Sequence, residues 1–208
     1  MCFLLIFGGG FSPLAAEGKP SRAYNQMALE VPTDGGGMLM YSRMWVLNKY
    51  LEGGFSVGGG VIDRDFDLTA PGSPTLKGHT QTLVLPYIGP RITAIYHVIG
   101  ISIGYGIFYA DSDFKVEWLG EPRLTGRKSG WGSGFYSPLL VIQFLDPRYN
   151  VVYGFGLGGF FGTSFPKLKA TSSTSVVTTT ENPIDTLTLH LSYSWGPNSG
   201  RKSNRDEW

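Results

Sequence analysis

The chain has 208 residues, the size of one domain, and only 16% of them are charged, below the roughly 25% usual for soluble domains. The 17 lysines and arginines nearly balance the 16 aspartates and glutamates, so no net charge attracts a nucleic acid or an anionic surface. Cys2 is the single cysteine, which excludes an internal disulfide and a metal site built on several thiolates. We therefore expect no cofactor, no metal and no nucleic-acid partner.

The sequence offers no stretch of about 18 apolar residues, so it predicts no spanning helix. It is rich in glycine, with 30, and 14% of its residues are aromatic. The other way to cross a bilayer is a closed barrel of strands, because every backbone group must be hydrogen-bonded inside the hydrocarbon.

The first predicted strand lies in residues 1–12, where large apolar residues alternate with small ones. One face carries Phe3, Leu5, Phe7 and Phe11, and the other carries Gly8, Gly10 and Ser12. The alternative is a secretory signal peptide cleaved near Ala15-Ala16, which would move the first strand to residues 23–31, a segment that alternates poorly. We favour the strand, because the segment has no basic start and its apolar stretch is interrupted by glycines.

Seven further strands follow from the same two-residue period. They cover residues 37–48, 53–63, 79–88, 91–109, 131–145, 150–163 and 185–195. The period is clearest in the last one, where one face reads Leu187, Leu189, Leu191, Tyr193, Trp195 and the other reads Thr186, Thr188, His190, Ser192, Ser194. The length of this segment fits a tilted membrane strand.

The two faces of these strands differ in size rather than in charge. Bulky apolar residues share one face, while glycine and serine share the other, which would make a poor water-facing surface. We expect the bulky face to contact lipid and the small face to line a narrow lumen. The competing interpretation is a soluble sandwich or a lipocalin-like barrel with glycine-rich strands.

The connections between the strands alternate in length. Short ones are predicted at residues 49–52, 89–90 and 146–149, and long polar ones at 63–78, 111–130 and 164–185, with a further long loop before residue 37. Alternation within residues 114–118 indicates that the neighbouring strands extend beyond the membrane as a hairpin. The pattern predicts an all-β fold, an eight-stranded antiparallel up-and-down transmembrane β-barrel. Residues 1–195 would form this one domain, and residues 196–208 a flexible C-terminal tail.

The chain resembles the small bacterial outer-membrane β-barrel proteins, the broad group of the OmpA, OmpX and OmpW types. The glycine-aromatic segments 7–11 and 153–157 and the final strand 187–195 carry the resemblance, which selects no subfamily. It implies a bacterial outer-membrane location. In that group the last strand usually ends the chain and its terminal aromatic residue helps recognition by the assembly machinery. Here residues 196–208 follow, so either Trp195 or Trp208 could carry that signal.

Three polar residues of the strands are candidate lumen groups: Arg43, His190 and Ser192. A charge facing lipid at the midplane costs about 2–4 kcal/mol, so Arg43 should face the lumen or lie near a rim. His190 and Ser192 are two positions apart on a strand and share a face. A histidine can accept a serine proton, and the outer-membrane lipid A deacylases carry such a pair. Their pair faces lipid, whereas this one should face inward without an evident carboxylate, so we favour a polar lumen network.

The predicted function is non-enzymatic: a structural or surface-interaction role carried by the long extracellular loops. An eight-stranded barrel is too narrow for a general aqueous pore. The expected partners are outer-membrane lipids and an extracellular protein or surface ligand, with the oligomeric state left open. The alternatives are binding or passage of a small apolar molecule through the barrel, and a lipid A-modifying acyl hydrolase that uses His190 and Ser192.

Overall fold

The computed structural model describes residues 23–48, 50–68, 76–117, 124–146, 151–164, 169–171, 176–178 and 184–196. The strands are β1 Ala23–Pro32, β2 Gly36–Val46, β3 Leu51–Leu68, β4 Leu76–Tyr96, β5 Ile99–Glu117, β6 Leu124–Asp146, β7 Val151–Ser164, β8 Lys169–Thr171, β9 Val176–Thr178 and β10 Thr186–Trp195. Within these ranges no helix has the length and apolar character needed to cross a membrane.

Eight of the strands close into a ring in the order β1-β10-β7-β6-β5-β4-β3-β2, and every pair in the ring is antiparallel. Each strand of the ring therefore has a neighbour on both sides, which leaves no sheet edge inside the hydrocarbon. The two remaining strands, β8 and β9, pair with each other, and β8 contacts β6 and β5. The predicted eight-stranded antiparallel barrel is confirmed.

The first strand of the ring is β1, which pairs with β10 on one side and β2 on the other. The preference for residues 1–12 as the first strand was therefore wrong, and the segment 23–31 supplies it; residues 1–12 and the possible signal-peptide cleavage site lie outside the described residues. The alternation of β1 looked poor because polar side chains, including Gln26 and Glu30, occupy its lumen face.

The loop expected before residue 37 is instead a short turn at residues 33–35. Gly35 and Gly36 have φ values of +136° and +94°, which only glycine adopts without strain. These two adjacent glycines therefore allow a short turn between β1 and β2, where the sequence predicted a long loop.

The predicted turn at residues 89–90 lies inside β4, which continues to Tyr96, and the chain reverses at His97 and Val98. A Cβ on Gly89 would lie 2.4 Å from the carbonyl oxygen of Tyr105, so this glycine marks a close approach of β5 rather than a turn. The Gly-Pro signal was misread for that reason.

The strands β3 to β6 continue further than the sequence indicated. Their paired residues reach Leu68 and Leu76 in one hairpin, and Val116 and Leu124 in the other. Much of the two predicted long loops is therefore paired strand, as the alternation in residues 114–118 indicated. We call the ring ends joined by residues 47–50, 97–98 and 147–150 the turn rim, and the opposite ends the loop rim. Short turns join the strands at the turn rim, as they do at the periplasmic end of outer-membrane barrels.

The bulky face of the strands points outward and the small or polar face points into the lumen. On β10, Leu187 is 55% exposed, while His190 is 0% exposed. The outward residues of β5 form a continuous apolar row of Ile99, Ile101, Ile103, Tyr105, Ile107 and Tyr109. This arrangement confirms the lipid-facing exterior and contradicts the soluble alternative, since these residues would be buried in a soluble barrel.

Candidate functional site in the lumen of the barrel

His190 and Ser192 both lie in the lumen and are buried. Arg43 does not: it shares the outward face of β2 with Leu39 and Tyr41 and lies close to the turn rim, three positions before the strand ends at Val46. Arg43 was expected to face the lumen or to lie near a rim. It lies near the turn rim and faces outward, so its assignment to the lumen was wrong.

Glu30 is the centre of a buried hydrogen-bond cluster in the lumen. Its carboxylate accepts hydrogen bonds from the hydroxyl of Tyr136 at 2.7 Å and from that of Thr188 at 2.6 Å. Nδ1 of His190 hydrogen bonds with the same oxygen that accepts from Tyr136. Glu30 is 1% exposed, so these contacts replace the water that a buried carboxylate loses.

The Glu30–His190 pair supplies the carboxylate that the sequence did not reveal, yet it does not complete a nucleophilic site. Nε2 of His190, the nitrogen that would accept a serine proton, has no hydrogen-bond partner among the described residues. Ser192 is buried in the lumen on the same face, away from the lipid that would be the substrate. The arrangement therefore suits a structural polar network better than acyl transfer.

Arg91 anchors a second polar cluster, nearer the turn rim. Its guanidinium donates to Gln26 Oε1 at 2.6 Å and to Ser42 Oγ at 3.2 Å. Gln26 in turn donates to Ser194, and Ser42 shares a hydrogen bond with Ser56. Through Arg91, Gln26, Ser42 and Ser194, these bonds join β4, β1, β2 and β10 across the lumen.

The two clusters meet at Tyr136, whose ring lies 5.9 Å from the guanidinium carbon of Arg91 and whose hydroxyl bonds to Glu30. A further buried carboxylate, Glu52, accepts from the hydroxyl of Tyr24. Two acidic groups thus share the lumen with Arg91 and the ionisable His190. Among the described residues, no three histidine, cysteine or acidic side chains come together as metal ligands.

Apolar side chains fill the lumen toward the loop rim. The ring of Phe160 lies 5.4 Å from that of Tyr87 and 5.6 Å from that of Phe108. The cluster is made of Ala28, Met38, Met40, Ile62, Val84, Tyr87, Phe108, Ala110, Tyr136, Phe160 and Ile184. Each of these residues is at most 2% exposed, so at this level the interior is occupied by side chains.

Toward the loop rim, the outer face of β3 to β6 is charged. It carries Asp63, Asp65, Lys77, His79, Asp111, Asp113, Lys115 and Arg127. Arg127 Nε donates to Asp111 at 3.0 Å, and this hydrogen bond holds the pKa of the Asp111 carboxyl below its ordinary value. The charged row begins next to Tyr109 and Trp131, whose rings are 5.6 Å apart. These two residues mark the end of the outward apolar side chains, which we call the apolar belt. Apolar surface therefore gives way to charge at one level, as it does where a membrane ends.

The sequence did not single out Glu30, Glu52 or Arg91. Glu52 was placed in a turn, and Arg91 was placed at the start of a predicted strand 91–109. The structure divides that segment at His97 and Val98 and puts Arg91 inside β4. The signal that could have found Arg91 is its place in the alternation. Arg91 and Thr93 lie on the same inward face of the strand as Ile95, and a charge on that face needs partners in the lumen.

A closed antiparallel ring with an apolar exterior and an interior filled by side chains defines a small outer-membrane β-barrel. No protein-family model and no curated protein matches the sequence.

The solved structures that are similar to this chain include the following three. A major outer membrane protein from Thermus thermophilus has 13% identity, with 83% of this chain and 98% of that chain covered, and gives a TM-score of 0.46. Neisserial surface protein A has 12% identity and a TM-score of 0.30, with 83% of this chain and 92% of that chain covered. Ail, the attachment invasion locus protein of Yersinia pestis, has 11% identity and a TM-score of 0.31, with 83% and 95% covered.

Proposed function

We propose that this outer-membrane barrel has no enzymatic activity and acts as a structural and surface-interaction protein through its extracellular side. The observation that carries the proposal is the continuation of β3 to β6 beyond the apolar belt, with both signs of charge on the outer face. A wall of paired strands is a more rigid platform than a loop of the same length, which lowers the entropy lost when a partner binds.

Passage of a small molecule has less support. The apolar cluster fills the lumen near the loop rim, and the Arg91 cluster links strands across the lumen below it. A solute would have to displace both layers, which an eight-stranded barrel has little room to do.

Photo-crosslinking in intact cells tests the proposal. A photoreactive residue at Asp113, on the charged outer face, should give covalent adducts with an extracellular protein or glycan. The same residue at Ile103, which faces lipid, is the matched control and should give adducts with lipid only. Absence of non-lipid adducts at Asp113, and at Lys77 and Arg127 on the neighbouring strands, would reject the interaction role.

A further inference from the structure

Arg43 carries a charge where the barrel faces lipid. Aromatic residues mark both edges of the apolar surface: Tyr109 and Trp131 on the loop side, and Trp45 and Trp195 on the turn side. Among the described outward side chains between these edges, only Arg43 is charged. The cost of an arginine on the lipid face falls to about 0–1 kcal/mol near an interface, so its place close to the turn rim makes it tolerable there. Tolerance does not explain its orientation, which follows from its neighbours.

Asn25 on β1 holds the guanidinium in place. Its Oδ1 accepts a hydrogen bond from Nη1 of Arg43 at 2.6 Å and another from the hydroxyl of Tyr41 at 2.8 Å. A guanidinium has five N–H donors, so most of them stay available after this bond. In the described part of the chain, no carboxylate lies within ion-pair distance of Arg43; its positive charge is unbalanced within that part.

Aromatic rings surround the arginine at the same level. Trp45 meets Phe55 edge to face at 6.5 Å, and Tyr41 lies 6.4 Å from Trp195. Trp195 in turn stacks on Tyr193 at 5.5 Å. Tryptophan and tyrosine concentrate where acyl chains meet headgroups, so the guanidinium lies at headgroup level.

We propose that Arg43, with Asn25 and Tyr41, binds the phosphate of a phospholipid in the periplasmic leaflet. The ligand must be anionic, because no carboxylate of the described residues lies within ion-pair distance of the arginine. It must reach the site from the bilayer, because the site faces outward. The planar guanidinium matches two phosphate oxygens, and the exposed apolar side chains of Leu39 and Met27, further from the rim, offer a surface for the acyl chains.

Titration of phosphatidylglycerol onto the barrel refolded in a neutral detergent, read by native mass spectrometry, tests this site. Arg43→Gln should weaken binding by about tenfold, since a charge-assisted hydrogen bond is lost. Arg43→Lys keeps the charge without the fork and should fall between the two. Arg127→Gln, which changes an arginine outside the membrane, is the matched control and should bind as the wild type does. Heat-modifiable gel migration shows that each variant is folded.

Two further probes separate the possible sources of the phosphate group. Diacylglycerol, which lacks the phosphate, should bind wild type and Arg43→Gln equally, whereas inorganic phosphate should not displace phosphatidylglycerol. Equal phosphatidylglycerol affinity of folded wild type and Arg43→Gln would overturn the proposal. Displacement by dilute inorganic phosphate would also overturn it, because the site would then recognise a free anion.

Discussion

At the scale of single residues, Glu30 joins three strands through one carboxylate. It lies on β1 and accepts hydrogen bonds from Tyr136 on β6 and Thr188 on β10, while His190 contacts it from β10 as well. Buried donors that lose their acceptor keep the full cost of desolvation. The stability of the barrel should therefore depend on this one side chain.

Glu30→Ala should lower the free energy of unfolding by about 3–5 kcal/mol, because it leaves the buried donors unpaired. Urea unfolding of the protein in lipid vesicles, followed by tryptophan fluorescence, measures the change. Glu30→Gln keeps an acceptor oxygen and should lose less. A Glu30→Ala variant within about 1 kcal/mol of wild type would show that the cluster contributes little net stability.

Gly156 on β7 faces His190 across the ladder and lies against the bulge in β6. A Cβ there would be 1.7 Å from the carbonyl oxygen of Leu140, so Gly156→Ala must move backbone and should cost about 1–3 kcal/mol. Gly37→Ala is the matched control, since a Cβ on Gly37 meets nothing within 4 Å. Equal unfolding midpoints for the two variants would contradict the close approach.

The residue scale shows what the sequence could and could not reveal. Alternation alone placed His190 and Ser192 on the lumen face, since parity along a strand is a local property. The partner of His190 could not be predicted, because Glu30 lies on a strand far away in sequence and is brought close only when the ring closes between β1 and β10.

At the scale of elements, the pair of Asp111 and Arg127 links β5 and β6 beyond the membrane, next to the ladder that joins the two strands. Asp111 also lies near Tyr109, where the apolar belt ends. The sequence analysis assigned the charges here to a long loop, although the alternation of residues 114–118 indicated that the strands extend beyond the membrane as a hairpin. Projecting strands surrounded by water need no apolar outer face, so hydropathy marks the membrane boundary and not the strand end.

The Asp111 carboxyl should titrate below its ordinary pKa of 3.8, mainly because Arg127 donates hydrogen bonds to its ionised form. A folded-state pKa below the unfolded value means that the pair stabilises the hairpin above about pH 4 and loses this contribution as pH falls through the folded value. Side-chain carboxyl NMR on the refolded protein measures the pKa. Arg127→Gln should return the pKa toward 3.8, and an unchanged pKa would exclude the pairing in solution.

At the scale of the whole molecule, the pattern of the chain predicted the ring because closure is a demand of the bilayer rather than of any one residue. The number of strands followed from the two-residue alternation, from the lengths of the connections, and from the even number of strands that such barrels have. The position of the first strand did not, since both candidate segments were short and only pairing with β10 distinguishes them. Local turn chemistry was equally insufficient at Gly89, where contact with β5 and not chain reversal requires the glycine.

The filled lumen predicts that the folded protein does not conduct ions in planar bilayers. Two layers block the path: the ring contacts of Tyr87, Phe108 and Phe160 near the loop rim, and the Arg91 cluster nearer the turn rim. Phe160→Ala opens only the first layer, so this variant should also stay closed. Channel events should appear only when Phe160→Ala is combined with Arg91→Ala, because both layers of side chains are then opened. Steady channel events from the folded wild-type barrel, absent after heat denaturation, would contradict a side-chain-filled interior and favour passage of small molecules.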